Sequence, residues 1–365
     1  MSVETFSTAS RVAGKGEGVT LEELQLAARN HGMPLEAMRY DVTPAGLHYV
    51  LVHYDIPAAD APNWQLELTG CVEQPLSIGL TELKAMNRQI VRVTLECAGN
   101  GRARQDPRPV SQPWLVEAVG TAEWTGVPLT VLLEHAGVRP DGVDVVFTGA
   151  DHGFERGVEQ DYQRGLSLTE AMEVGALVAW EMNGEPLPPQ HGFPLRLVVP
   201  GWYGMASVKW LRSIEVIDHE FTGFQNAVAY RLRSSADDPG VPVTRIEPRA
   251  LLIPPGHPDF MSRARILKTG AVVLRGRAWS GWAPVDLVEV SVDGGASWRE
   301  AELDAEGNDL AWRGFSVEWD ATPGEYELTA RARDESGRVQ PLQAAWNRGG
   351  FANNSAHRIP VVVID

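Results

Sequence analysis

The sequence predicts two successive architectures: an α+β domain, then an all-β sandwich of immunoglobulin type. Three observations predict them. Up to about residue 237, capped helical segments mix with short apolar strands without a βαβ alternation. Beyond "RSSADDPGVPVTRIEP" (233–248) nothing reads as helix, and strand-like segments recur at regular spacing between turn signals. A chain of 365 residues also exceeds what one ordinary core fills. The division expected is a flexible N-terminal tail (1–19), a first domain (20–237) and a second (238–365).

The elements follow in order. "TLEELQLAARN" opens with a capping box, Thr20 to Glu23, and predicts a helix stopped near Gly32. "LHYVLVHY" (47–54) and "WQLELTG" (64–70) alternate as strands do. "LTELKAM" predicts a short helix, and "VPLTVLLEHAG" one that starts near Pro128 and ends before Gly137. "DVVFTG" (144–149) is a strand, and "SLTEAM" carries a second capping box, Ser167 to Glu170. "ALVAWEM", "PLRLVVP" and "SVKWLRSIEVI" complete the first domain as strands. In the second, "AVVLRGRAW", "VDLVEVSV", "WREAELD", "LAWRGFSVEW", "EYELTARARD" and "HRIPVVVI" are strands, with Asp293–Gly294 as a hairpin turn. The sandwich lacks the cysteine pair of antibody domains.

Composition excludes several functions. The net charge of −16 argues against nucleic acid and anionic membranes as partners, so an anionic substrate needs a local basic pocket. Two cysteines, Cys71 and Cys97, make no disulfide framework. No secretory leader and no membrane-length apolar run is seen, and the expected location is cytoplasmic.

One stretch carries chemistry: "RVTLECAGNGRARQD" (92–106). Most free cysteines are small buried hydrophobes. Cys97, however, ends a strand and is followed by Gly99 and Gly101, which permit close backbone approach or positive φ, and by Arg102, which favours a thiolate. A thiolate there is a nucleophile or a soft-metal ligand; no histidine lies near it in sequence, and His135 or His191 reaches it only through the fold. Cys71 has no such neighbourhood. In "MNGEPLPPQHGFPLRLVVPGWYGMASVKWL" (182–211), His191, Arg196 and Lys209 are spaced to grip a phosphate or polar cofactor, while no Walker A or Rossmann fingerprint occurs. In "WNRGGFANNSAHRIPV" (346–361), Arg348 and Arg358 are candidates to reach back to the first domain.

"CAGNGR", "WEMNGEPLPPQHGFPLR", "VKWL" and the sandwich motifs "AWSG", "VSVDGGASW" and "WN" occur in the order found in the sulfite oxidase family of molybdenum–pterin enzymes, which the chain resembles from about residue 47 to its end. The resemblance implies a molybdopterin (Moco) whose metal takes Cys97 as protein ligand. It implies that His53, Asp151, His191, Arg196, Ser207 and Lys209 hold the pterin and its phosphate. It makes Arg102, Arg358 and Trp114 the anion pocket. Sulfite oxidation to sulfate by oxygen-atom transfer is the implied reaction, with reduction of another small oxo compound, a sulfoxide or nitrate, as the alternative within the same cofactor class. A non-catalytic binding module built on the sandwich is the alternative from another class.

Two departures stand out. Leu51, Val52 and His53 occupy the family's Arg-Asn-His, while an Arg-Asn-His occurs earlier, at Arg29–His31. Phe221 in "EFTGF" replaces the family's tyrosine, for which Tyr230, Tyr203 and Tyr162 are substitutes; Tyr230 is the catalytic candidate. No His-Pro-Gly-Gly stretch of a haem-binding domain occurs, so no haem and an external electron acceptor are expected. The sandwich resembles the family's dimerisation domain, which implies a homodimer.

Overall fold

The computed structural model describes residues 11–305 and 309–365. Residues 1–10 of the expected tail lie outside the described residues. Residues 11–19 do not dangle: Val12 bridges to Pro109, and Arg108 donates to the carbonyls of Glu17 and Gly18 and to the Glu23 carboxylate. Glu23 is wholly buried because it serves both this ion pair and the capping box that starts the Leu21–Arg29 helix.

The first domain is built on two sheets. One runs in the order Leu76–Gly79, Gln65–Gly70, Leu211–Ile217, Asp144–Glu155, Val158–Ser167. Its one parallel pair joins Gln65–Gly70 to Leu211–Ile217, which makes the sheet mixed. The other joins Gln89–Glu96, Val119–Pro128, Leu177–Met182 and Glu185–Pro186, with Arg196–Val198 on the free side of Leu177–Met182. The helices Leu80–Ala85, Leu129–Ala136 and Leu168–Glu173 form where their caps predict, and the Ser167 hydroxyl accepts from the Glu170 N–H at 3.2 Å. Leu66, Leu68, Leu132, Phe147, Val178, Leu197 and Ile214 fill the core between them.

The second domain is a sandwich of a four-stranded and a six-stranded sheet. Strand alternation buries Ile359, Val361 and Val363 against Val288, Val290, Phe315, Trp319 and Leu328, the inward face of a half-buried strand. "WREAELD" splits at buried Ala301 into Arg299–Glu300 and Glu302–Leu303, one on each sheet, so it crosses between layers. Trp279, Trp312 and Trp319 are buried, whereas Trp282 is exposed beneath Arg338.

Two expectations fail. The segment 47–54 is not a strand: it begins with a 3₁₀ turn at Ala45–Leu47, touches His31 through one bridge at Val50, and then lines a cavity. Four consecutive residues, His48, Tyr49, Val50 and Leu51, line that cavity, so both faces of the segment meet it. The strand Val158–Ser167 was not foreseen, because its polar residues hide the alternation. It is joined to Asp144–Glu155 by a two-residue turn, Arg156–Gly157, with φ of 50° and 78°, which gives the twist a tight hairpin needs. Among the described residues no helix is long and apolar enough to cross a membrane.

The domains share a third core in which Met33, Met38 and Tyr203 meet Ile246, Leu251, Trp279, Trp312 and Phe351. This shared core positions the site.

Candidate active site

Cys97 follows directly on the Gln89–Glu96 strand, and its N–H donates to Ala118 O at 2.9 Å. The chain then turns sharply. Asn100 N–H donates to Cys97 O at 2.9 Å, and Gly101 takes φ of 91°, where a Cβ would also lie 2.7 Å from Asn353 O, so the turn requires glycine. The Arg102 guanidinium folds back over Gly99, where any side chain would collide with it. Arg102 Nε donates to Gly349 O at 2.8 Å and Nη1 to Gln112 O at 3.2 Å. Among the described residues Nη2 meets no hydrogen-bond acceptor.

The second domain holds this loop along its whole length. Ala352 N–H donates to Ala98 O at 2.8 Å, and Asn353 Nδ2 to Gly101 O at 2.7 Å. Trp279 Nε1 donates to Glu96 Oε2 at 2.7 Å, and Arg249 Nε stands 3.0 Å from Glu96 Oε1 with both side chains 1% exposed.

Cys97 opens into a cavity of about 630 Å³. His53, Asp151, His191, Arg196, Ser207 and Lys209 line the same cavity, brought together from four separate stretches. A second chamber shares Leu51, His53, Cys97 and Tyr230 with it and adds Arg102 and Trp114 at its base. Tyr230 shares a 2.7 Å hydrogen bond with His53 Nε2. Tyr162 lines the cavity but donates to Met205 O, Tyr203 is buried between the domains, and Phe221 packs on Gly165 and Gly223 outside the cavity. Of the three tyrosines, Tyr230 therefore stands beside Cys97 and Arg102.

Arg358 does not join them, and its assignment to the anion pocket is corrected. It occupies an outward position of the Arg358–Ile364 strand, where it pairs with Glu327, and lines a different surface groove with Leu115 and Met33. Strand parity sends Ile359 inward and Arg358 out. The part of that motif that reaches the site lies earlier, at Gly349–Asn353. Arg29 does fold back: its guanidinium donates to Tyr54 O, Asn30 Oδ1 accepts from Val52 N–H at 2.8 Å, and His31 pairs with Val50.

His48 was missed by sequence reasoning. It lines the cavity at 2% exposure, and its ring centroid lies 5.3 Å from that of His191. Two histidines five apart, His48 and His53, in an otherwise apolar run were the available signal.

The electrostatics follow from burial. Burial pushes the Cys97 thiol up, opposed by the Arg102 charge, the Gly99 N–H and the Trp114 indole. Burial lowers His48 to about 4, His53 to about 3 and His191 to about 2, so all three are neutral at pH 7. Lys209 is driven to about 7, first by burial and then by Arg196, while Asp151 draws it back up. Burial raises Asp151 to about 6.

These shifts predict an acid-labile cofactor-free protein. The unfolded histidines titrate near 6.5 and the folded ones well below, so the unfolded chain binds more protons as pH falls through 6.5. The histidines' share of stability is fully present above 6.5 and is lost progressively as pH falls through their folded values of about 4 to 2, while Asp151, raised to about 6, offsets part of that loss. Urea midpoints measured across that range should fall, and His191→Gln should flatten the slope; an unchanged profile would contradict neutral burial.

The buried polar atoms state what the cavity wants. Among the described residues His48 Nε2, Asp151 Oδ1 and His191 Nε2 have no hydrogen-bond partner of ordinary geometry. Such atoms are costly unless a ligand satisfies them. Among the described residues no group of three His, Cys, Asp or Glu side chains can hold a metal ion. A metal at Cys97 must therefore bring most of its own ligands, as one carried by a pterin dithiolene does. Lys209, Arg196 and Ser207 suit that group's phosphate, and the orphaned polar atoms suit its heterocycle.

The comparisons agree with this chemistry. Residues 53–225 match the Oxidoreductase molybdopterin binding domain and residues 243–364 the Mo-co oxidoreductase dimerisation domain. Mitochondrial sulfite oxidase of Mus musculus is 33% identical over 340 residues, covering 88% of this chain and 62% of that protein. Nitrate reductase [NAD(P)H] of Hordeum vulgare is 31% identical over 353 residues, 88% of this chain and 39% of that protein. The chain thus spans less than two thirds of the length of these curated relatives. The sulfane dehydrogenase SoxCD of Paracoccus pantotrophus superposes with a TM-score of 0.79 at 26% identity, over 97% of this chain and 88% of that one. With a buried cysteine, the basic side chains of Arg196 and Lys209 and unsatisfied polar atoms lining one cavity, and with both domains matched in order, the chain belongs to the sulfite oxidase family of molybdopterin-dependent oxidoreductases.

Proposed function

We propose that the protein oxidises sulfite to sulfate by oxygen-atom transfer and passes the electrons to an external acceptor, working as a homodimer joined through the sandwich. The observation that carries this reading is Arg102, a buried guanidinium beside Cys97 with Nη2 uncommitted. It is a charge-assisted donor for an oxyanion placed next to the metal position. When bound, molybdopterin supplies the two-electron oxygen-atom-transfer chemistry, held by Cys97, His53, Asp151, His191, Arg196, Ser207, Lys209 and His48.

The chain's own residues do the rest. Arg102 binds the anion and, with two of its nitrogens fixed by Gly349 O and Gln112 O, orients it without reorganisation. Trp114 and Phe351 form walls that limit water at the base of the chamber. Tyr230 and neutral His53 share one proton along their 2.7 Å bond, which fixes the Tyr230 hydroxyl beside Arg102. Burial keeps the Tyr230 phenol protonated.

Molybdenum-loaded protein should oxidise sulfite with an artificial one-electron acceptor. Reduction of nitrate or a sulfoxide without sulfite turnover would overturn the reading. Arg102→Gln should lower kcat/KM for sulfite by about 10–100-fold, the range of a hydrogen bond to a charged group. Unaltered kinetics would remove Arg102 from the anion site.

A further inference from the structure

The chamber at Arg102 is larger and more apolar than a small inorganic anion requires. It encloses about 740 Å³. The molybdenum group takes the Cys97 end, yet a space of this size falls among pockets that bury a whole organic molecule, about 300–1,000 Å³. Arg102 Cζ lies 5.1 Å from the centre of the Phe351 ring, and that ring lies 5.1 Å from the Tyr230 ring, so an apolar surface adjoins the anion donor directly. Leu26, Leu51 and Ala229 continue it. Leu51 stands at the arginine position of the family's Arg-Asn-His, so an isobutyl group faces the chamber there.

This apolar wall is fixed relative to Arg102. Asn30 Oδ1 accepts from Val52 N–H at 2.8 Å, and Asn30 Nδ2 donates to Leu26 O at 3.1 Å and to Gln112 Oε1 at 3.0 Å. Gln112 O in turn accepts from Arg102 Nη1. Lys209 Nζ donates to Leu51 O at 2.7 Å. Wall and anion donor thus hang on one hydrogen-bonded run, and a ligand that bridges them meets a preformed surface.

We propose that the chamber takes organic sulfinates, with the sulfur oxygens on Arg102 and the carbon substituent against Leu51, Leu26 and Phe351. The inference rests on the proposed sulfite chemistry, because a sulfinate carries the same lone pair on sulfur. A sulfinate and water become a sulfonate, two protons and two electrons. The lone pair forms the new S–O bond to an oxygen that derives from water, both O–H bonds break, and the C–S bond stays intact. The protons go to solvent and the electrons to the external acceptor.

Sulfonates have no lone pair left on sulfur, so the protein does not consume them and they report binding alone. Calorimetry on the holoprotein measures methane-, ethane- and propanesulfonate. Each carries one negative charge, so the metal group and every charged side chain act on all three alike, and the ratio of affinities reads the apolar contact. Affinity should rise about fourfold per methylene. Leu51→Asn should cut that gain to about twofold or less, and the volume-conserving Leu51→Met should keep it. With an artificial acceptor, propanesulfinate should show a higher kcat/KM than methanesulfinate. A flat or falling series in the wild type, a slope that Leu51→Asn leaves unmoved, or loaded protein that oxidises sulfite and no sulfinate would each overturn the inference, the last leaving the sulfite reading intact. Turnover of sulfinates without turnover of sulfite would sink that reading and leave this one standing.

Discussion

Cys97→Ser should abolish sulfite turnover and lower the molybdenum content of the purified protein, while its circular dichroism stays that of the wild type. The reasoning is chemical and local. Cys97 is the sole cysteine at the cavity and only 6% exposed, and serine matches its shape with a harder donor that binds a soft metal poorly. The Cys97 backbone is held by Ala118 O and the Asn100 N–H, neither of which involves sulfur. Folding should therefore survive, with a stability change within about 1 kcal/mol. Cys71→Ser is the control: that cysteine packs in the first-domain core away from the cavity and should leave molybdenum content unchanged. A non-catalytic binding module predicts the same metal content for both variants, so equal molybdenum in the two would favour it.

The fold was legible where local signals are strong. The capping box at Thr20 and the alternation of the sandwich strands are written in a few adjacent residues and form as expected, whereas at Ser167 only the N-cap half of the box forms and the Glu170 carboxylate accepts from the Ser167 hydroxyl instead. The segment 47–54 reads as a strand but forms none, because its residues are buried by a cavity wall and one bridge to His31 and not by a paired strand. The site residues on the 97–102 loop and in 191–209 could be named because each motif concentrates chemistry. Arg358 could not be placed, since one residue of parity in a strand decides between the site and the solvent, and sequence leaves the boundary of the preceding loop open. His48 and Leu26 were invisible for another reason: their places in the site exist only once distant segments close around it.

The same long-range closure makes Arg249→Met the substitution expected to harm stability most. Glu96 is a carboxylate 1% exposed, one residue before Cys97, and it meets Arg249 and Trp279 from the sandwich and Asn100 from its own loop. Removing the arginine leaves a buried charge without its counter-charge, a loss of roughly 3–5 kcal/mol. Arg249 also donates to Asn353 O, the residue that pins Gly101. The variant should therefore loosen the loop as well as destabilise the chain, and molybdenum content should fall along with the urea midpoint. Glu96→Gln combined with Arg249→Met should recover part of the lost stability, because no charge is left unpaired, although the single amide oxygen can accept from Trp279 or from Asn100 and not from both. If the single variant unfolds at the wild-type midpoint, or the double one is no better than the single, the buried pair is not what fastens the sandwich to the Cys97 loop. If the double variant recovers stability without molybdenum, the Arg249–Asn353 contact, and not the charge, positions the ligand.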